Sequence, residues 1–282
     1  MVDILSGKLV SKAIEIELID KVKKIKEQNF IPKLCIIQIG DDYASKIYVN
    51  MKKKACEKVG IDCTLYNISE DITQKEVLSL IKKLNKDVTV SGIMVQHPIP
   101  DHLNEMEIVN TILPSKDVDG LTDINLSKIY LNEKGFIPAT ALGIIKLLEF
   151  FDIDFEGKNA IVIGRSRIVG KPLASLLTNL NATVTIAHSK TKDLNNIIKN
   201  YDMVFVAVGK PHFIKSSLIK KDAIVVDAGY NEGNIGDVSF DKVKHLKAYT
   251  PVPGGVGPMT IMTLIYQTVE ACIIQNNITL NN

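Results

Sequence analysis

The sequence predicts an α/β protein of two domains, and three observations carry that prediction. Short runs rich in Val and Ile alternate with longer segments whose apolar residues recur at helical spacing. A glycine-bounded loop, Gly164-Arg165-Ser166-Arg167-Ile168-Val169-Gly170-Lys171-Pro172, stands between one such run and a helical segment. Between Pro98 and Thr140 the alternation gives way to turn residues, with Pro98, Pro100, Pro114, Gly120, Gly135 and Pro138 marking a domain junction. At 282 residues the chain exceeds one typical domain and suits two.

Taken in order, residues from Lys8 to Gln28 have helical spacing, and the run from Leu34 to Ile39 reads as a buried strand closed by Gly40. A helix from about Ala44 to Val59, a strand from Cys63 to Ile68, a helix from Gln74 to Leu84 and a strand from Val90 to Gln96 continue the alternation. Such an order favours parallel strands, with functional residues gathered at their C-terminal ends. Past the junction come a helix from about Ala141 to Phe151, a strand from Asn159 to Ile163, a helix around Pro172 to Leu177 and a strand from Ala182 to Ala187. Strands follow at Met203 to Val208 and Ala223 to Asp227, and an apolar helix at about Met259 to Gln275. The expected bounds are residues 1–139, completed by the helix 259–282, and residues 140–258.

The loop carries the strongest chemical signal. Thirty-two of the thirty-four basic residues are lysines, and the two arginines, Arg165 and Arg167, both lie within it. Guanidinium binds phosphate in a bidentate geometry that lysine cannot copy. Strand, glycine turn and helix together describe a Rossmann-type dinucleotide site, in which the backbone approaches a pyrophosphate and the helix dipole points at it. The spacing departs from G-x-G-x-x-G, because Ser166 replaces the second glycine and Gly170 comes one residue late. An NAD site places an acid near the end of the next strand. Here that strand runs into His188-Ser189-Lys190-Thr191-Lys192, with no acid before Asp193. The hydroxyl of Ser189 and the cations Arg165, Lys190 and Lys192 favour a 2′-phosphate, hence NADP over NAD.

Composition narrows the class. A formal charge of +2, with lysines dispersed among acids, argues against a nucleic-acid surface. No stretch reads as a membrane span or a signal-peptide core, so a cytoplasmic protein without a membrane partner is expected. Cys35, Cys56, Cys63 and Cys272 lack C-x-x-C spacing and neighbouring histidines, so no metal is expected.

Candidates for chemistry cluster in the first half. Tyr48 and Lys52 are four residues apart and share a helix face. A desolvated lysine beside a phenol can act as acid or base near neutral pH, although the run Lys52-Lys53-Lys54 equally suits a solvated face. Gln96 ends a strand, where its amide can orient a lysine without adding charge. In Lys116-Asp117-Val118-Asp119-Gly120 the two acids alternate, so one can face a ligand while the other faces solvent, or both can form a turn. His97 reads as a packed or surface residue.

These segments together resemble the bifunctional methylenetetrahydrofolate dehydrogenase/methenyltetrahydrofolate cyclohydrolase (FolD) family over nearly the whole chain. The resemblance rests on Ala44-Ser45-x-x-Tyr48-x-x-x-Lys52, Val95-Gln96-x-Pro98-x-Pro100, Lys116-Asp117-Val118-Asp119-Gly120, the arginine loop, Gly236-Asp237-Val238 and the run from Pro251 to Thr260. It implies NADP-dependent oxidation of 5,10-methylenetetrahydrofolate, then hydrolysis of the methenyl product to 10-formyltetrahydrofolate. By that resemblance Lys52 is the principal catalytic residue and Gln96 holds and tunes it. Tyr48 stacks on the folate aminobenzoyl ring, Asp119 binds the pterin, and Pro253 and Gly254 shape the folate wall. Gly164, Arg165, Ser166, Ser189 and Tyr230 line the NADP site, and a homodimer through the cofactor domain is implied. The chain departs from the family pattern in having His97 where leucine is usual, and Pro138-Ala139-Thr140-Ala141 where Pro-Cys-Thr-Pro is common. Competing readings are a relative with one activity, a shikimate-type dehydrogenase, and a dinucleotide sensor.

Overall fold

The computed structural model describes residues 2–280. Its elements begin β1 (Asp3–Ile4), α1 (Gly7–Lys26), β2 (Lys33–Ile39), α2 (Tyr43–Val59), β3 (Asp62–Ile68), α3 (Gln74–Lys86) and β4 (Gly92–Val95). Three helices follow: α4 (Glu105–Thr111), α5 (Asp123–Tyr130) and α6 (Ala139–Phe150). The order continues with β5 (Asn159–Ile163), α7 (Gly170–Asn179), β6 (Thr183–Ala187), α8 (Leu194–Ile197), β7 (Met203–Val206), β8 (Ile214–Lys215) and β9 (Ile224–Asp227). It closes with β10 (Val238–Ser239), β11 (Ala248–Tyr249) and α9 (Val256–Gln275). The chain divides into two compact units. One comprises Ala13–Lys128, Glu133–Ala139 and Ile261 onward; the other comprises residues through Lys12, Ile129–Asn132 and Thr140–Thr260.

The first unit is built on a parallel sheet of order β3-β2-β4. Successive side chains of a strand point to opposite faces, and β2 shows the consequence. Leu34 and Ile36 pack with Leu18, Val22 and Ile25 of α1, Val49 and Val59 of α2, and Ile265 and Val269 of α9. Cys35, Ile37 and Ile39 pack on the other side, with Val77, Ile81 and Leu84 of α3 and Ile108 of α4. Both faces of β2 are therefore dry, which is why its sequence is apolar without alternation. Each fully buried Leu or Ile contributes about 1.5–3 kcal/mol.

The second unit carries a parallel sheet of order β1-β11-β9-β7-β5-β6, with β8 and β10 forming a separate parallel pair. From β5 the chain moves outward to β6, then crosses back to β7 on the other side of β5. The connections leave in opposite directions at β5 and β7, and a crevice opens at such a switch point beyond the strands' C-terminal ends. Loops 164–170 and 207–210 occupy those ends.

Several elements differ from the sequence expectation. β1 and β11 are two residues each and pair in parallel, so the N-terminal residues join the second unit's sheet rather than the first unit. A two-residue strand has no periodicity to read. The turn-rich junction contains α4, capped by the Asn104 side chain accepting from Glu107 N at 3.1 Å, and α5, both too short to stand out among prolines. The reading that no stretch has the length and apolarity of a membrane span is corrected by α9, whose 20 residues are long and apolar enough. Its side chains are spent on the interior: Ile261, Met262, Leu264, Ile265, Val269, Ala271 and Cys272 are buried.

Gln267 of α9 is the polar exception. Its Nε2 donates to the carbonyls of Val118 (2.7 Å) and Ile137 (2.8 Å), and its Oε1 accepts from Ile137 N at 2.9 Å. Gln267→Leu leaves those three backbone groups unpaired and is expected to cost about 3 kcal/mol. The check is the urea midpoint of unfolding, which should fall while the spectrum of the folded protein is retained.

Candidate functional site

In the first unit the site is assembled by two periodicities. Helix spacing of four aligns Tyr48, Lys52 and Cys56 on one face of α2, and strand spacing of two aligns Met94 with Gln96 at the end of β4. Where those rows meet, Lys52 Nζ donates to Gln96 Oε1 at 2.8 Å and lies 3.4 Å from Met94 Sδ. Lys52 is 7% exposed, whereas Lys53 and Lys54 are exposed. The lysine run is therefore a solvated row from which the first member has been withdrawn. Burial lowers the Lys52 pKa, opposed chiefly by the charge of Asp119.

Gln96 cannot turn over. Its Nε2 donates to the His97 carbonyl at 2.7 Å, which leaves Oε1 for the lysine. The same carbonyl accepts from Ser45 Oγ at 3.1 Å, and Ser45 N donates to the Asp42 side chain that caps α2 at 2.7 Å. His97 turns its Nδ1 toward Glu105 Oε1 at 3.7 Å, while its Nε2 is buried without a hydrogen bond, and burial lowers its pKa.

The two aspartates separate by role. Asp117 is buried and accepts from Leu121 N (3.1 Å), Thr122 N (2.8 Å) and Asn125 Nδ2 (2.8 Å), so it holds the turn leading into α5. The expectation that one acid could face solvent is corrected by this, since the turn-former is the more buried. Asp119 interacts electrostatically with Lys52, and burial pushes its carboxyl up to about 7 despite that cation. Tyr48 is half-buried one turn before Lys52.

In the second unit the arginine loop is shaped by backbone contact. Gly164 has φ +132°, and a Cβ there would stand 2.3 Å from the Ala207 carbonyl oxygen; one on Gly170 would stand 2.2 Å from the Gly164 oxygen. Ser166 Oγ accepts from Val169 N at 3.1 Å and Gly170 N at 3.3 Å, so the residue replacing the second glycine caps the start of α7. Pro172 lies in the first turn of α7, where no N–H is required. Arg165 and Ser189 are exposed beyond the neighbouring strands β5 and β6, and Tyr230 is exposed beyond β9 with its hydroxyl donating to Asn234 Oδ1 at 2.8 Å. Close-packed glycines, an N-terminal helix end and an exposed guanidinium suit a dinucleotide phosphate. Gly254, at φ +105°, accepts from Lys8 N at 3.1 Å, and Pro253 is exposed beside it.

Sequence reasoning assigned no role to Asp237. Its carboxylate accepts from Val208 N (2.7 Å), Gly209 N (2.9 Å), Lys210 N (2.8 Å) and Asn231 Nδ2 (3.1 Å), and so fixes the loop beyond β7. Asp227 in turn accepts from Gly229 N (2.9 Å), Asp237 N (3.0 Å) and Val238 N (2.8 Å), with burial raising its pKa to about 6. The signal was the glycine spacing: a Cβ at Gly229 would collide with the Asp237 carboxylate, and one at Gly236 with that of Asp227. Among the described residues, no group of three or more His, Cys, Asp or Glu is placed to hold a metal ion.

Residues 5–119 match the tetrahydrofolate dehydrogenase/cyclohydrolase catalytic domain, and residues 138–276 match the NAD(P)-binding domain of the same family. The chain belongs to the tetrahydrofolate dehydrogenase/cyclohydrolase family. Within it, the chain is 51% identical over 272 residues to bifunctional protein FolD 1 of Colwellia psychrerythraea, covering 95% of this chain and 96% of that protein. The crystal structure of the bifunctional FolD dehydrogenase/cyclohydrolase of Campylobacter jejuni superposes with a TM-score of 0.96 at 44% identity, covering 99% of this chain and all of that one. The Trypanosoma brucei enzyme of the family, complexed with NADP and inhibitor, gives 0.95 at 31% identity, covering 98% and 99%. Membership places the lysine, glutamine and aspartate in the family's catalytic domain and the arginine loop in its cofactor domain.

Asp237→Ala strands three loop N–H groups. Amide exchange at residues 208–210 is expected to speed up at least about tenfold, with β5 left protected; hydrogen-exchange mass spectrometry reads it directly.

Proposed function

We infer that the protein is a bifunctional one-carbon folate enzyme. It oxidises 5,10-methylenetetrahydrofolate to the methenyl form with NADP and hydrolyses that product to 10-formyltetrahydrofolate. The observation that carries the reading is the buried Lys52 amine, hydrogen-bonded to Gln96 and balanced by Asp119, within a domain of this family.

NADP, when bound, accepts the hydride removed from the one-carbon unit. Gly164, Ser166 and the start of α7 hold its pyrophosphate, Arg165 and Ser189 its 2′-phosphate, and Tyr230 lines the same edge. The protein's own work on the carbon is electrostatic and protic. Methenyltetrahydrofolate is a cation, and a lysine of depressed pKa beside it can be neutral, so that it takes a proton from the attacking water and passes one to the departing ring nitrogen. Gln96 fixes the amine's direction without adding charge. Asp119 accepts hydrogen bonds from the pterin, and Tyr48 stacks on the aminobenzoyl ring. The product supplies activated formyl groups for purine synthesis, and the working form is a cytoplasmic homodimer.

Absorbance tests the whole reading. NADPH should form from methylenetetrahydrofolate, and methenyltetrahydrofolate alone should disappear above its uncatalysed rate; failure of either removes that activity. Lys52→Met should lower methenyl hydrolysis by at least about a hundredfold, as loss of a general acid-base does, with NADP affinity unchanged in a calorimetric titration. Hydrolysis at the parental rate would dismiss Lys52 from the mechanism. Arg165→Ala should weaken NADP by about tenfold or more while leaving NAD nearly unaffected, since a charge-assisted phosphate bond is worth about 1.5–3 kcal/mol.

A further inference from the structure

One residue breaks the apolar run of β2 and takes no part in the chemistry described above. Gln38 is 3% exposed, and among the described residues its side chain makes one hydrogen bond, a long one of 3.3 Å from Nε2 to the Gly40 carbonyl. That bond commits the nitrogen and leaves Oε1 as an open acceptor. A buried amide so thinly satisfied costs stability that an apolar side chain in the same place would not.

Strand register places that acceptor. Leu34 and Ile36 lie on the face of β2 that packs with α1, α2 and α9, and the pleat returns Gln38 to the same face. β4 runs beside β2 with Ile36 opposite Met94 and Ile37 opposite Val95, and Gln96 N donates to the Ile37 carbonyl at 2.8 Å, which carries the ladder one step further. Gln38 therefore stands opposite Gln96, one strand spacing of about 4.8 Å away, and both side chains lie on the side of the sheet that Lys52 approaches. On its other edge Gln38 stands opposite Asn67 of β3. Three carboxamides thus cross the C-terminal end of this parallel sheet in one row, where such sheets receive ligands. Lys52 Nζ already donates to the Gln96 member of that row at 2.8 Å.

Building on Lys52 as the acid-base group inferred above, we propose that Gln38 is a positioning residue for hydrolysis, its Oε1 accepting an N–H of Lys52 once that amine has taken the proton of the attacking water. A neutral amine has two N–H groups and an ammonium three. Gln96 Oε1 and Met94 Sδ account for two, and Gln38 is the next carboxamide along. As the water oxygen bonds to the methenyl carbon, one of its protons passes to Nζ. Nζ then gives that proton to the ring nitrogen as the carbon–nitrogen bond breaks, and the second proton of the water leaves to solvent as the formyl C=O forms. The lysine ends neutral. A second amide steadies the ammonium during this exchange without trapping it, as a carboxylate would.

The titratable groups around Lys52 are Asp119 from the turn before α5, Cys56 one turn along α2 and His97 beyond β4, and position 38 can be changed while all three stay. The test measures methenyltetrahydrofolate hydrolysis against pH, with the uncatalysed rate subtracted, in the full-length enzyme and in its Gln38→Met and Gln38→Glu variants. Hydrolysis needs the neutral amine, so the rate rises with pH as Lys52 loses its proton. Gln38→Met removes an acceptor that favours the ammonium. Its rising limb should move about one unit to lower pH, with kcat down about three- to tenfold and KM unchanged, as expected for a contact made in the transition state. Gln38→Glu adds a carboxylate and should move the limb the other way, by about one unit or more. A packing defect lowers the rate and leaves the limb in place. Limbs that stay put, or that move the same way in both variants, would overturn the role of Gln38; if Gln38→Met fails to fold, the direction of the Gln38→Glu limb decides alone. Failure of the Lys52 assignment has a different signature, because Lys52→Met would then hydrolyse at the parental rate, and the role of Gln38 would fall with it.

Discussion

A primary amine held out of water is the constraint from which the first unit's local structure follows. Desolvating an ammonium costs several kcal/mol unless partners replace the lost water. Lys52 meets that cost with a neutral amide, a nearby carboxylate and a thioether. The amide is itself held in a chain: Gln96 by the His97 carbonyl, that carbonyl by Ser45, and Ser45 by the aspartate that caps the helix. A cap usually worth about 1 kcal/mol of helix stability thus also aims a side chain two turns further on. Because the principal hydrogen-bond acceptor is uncharged, the amine remains free to change protonation state, which a firm salt bridge would prevent.

The second unit solves the mirror problem. Asp227 and Asp237 are buried acids, and backbone N–H groups rather than cations satisfy them. A carboxylate has about four acceptor sites, and Asp237 fills its capacity with three successive amides and one side-chain amide. Three consecutive N–H groups converging on one point would otherwise form an anion nest. An internal carboxylate occupies it permanently, so the loop beyond β7 is set before any dinucleotide arrives. The glycines at 229 and 236 exist to let these carboxylates approach the chain.

Features whose cause is local were legible in the sequence. The strand, loop and helix from Asn159 to Leu177 could be read because close backbone approach leaves glycine as the residue that fits, and the phosphate reading followed from two arginines in a chain of lysines. The β2 run was legible because burial on both faces removes polar residues. What escaped depends on distant chain. Nothing near Lys52 distinguishes it from Lys53; the distinction comes from Met94 and Gln96, some forty residues later. Asp117 and Asp119 look equivalent until Asn125 and the α5 turn claim one of them. β1 and β11 have two residues each and exist through pairing alone. The role of Asp237 was hidden because its partners are backbone groups, which leave no mark on residue identity.

The division of α9 has a consequence for biosynthesis. Leu18, Val22, Leu34, Ile36 and Val49 share one apolar cluster with Ile265, Val269 and Cys272, so one face of the three-stranded sheet is covered in part by residues made more than two hundred positions later. While the intervening chain is being synthesised, that face stays incomplete. The dinucleotide-binding sheet, whose strands β5, β6, β7, β9 and β11 come from one continuous stretch of chain apart from the two-residue β1, can assemble as it leaves the ribosome. The folate half, although most of it is made first, finishes last. For its time on the ribosome the nascent chain carries an exposed hydrophobic surface of the kind that chaperones recognise, and a ribosome stalled before codon 261 would leave that surface with no means of closing.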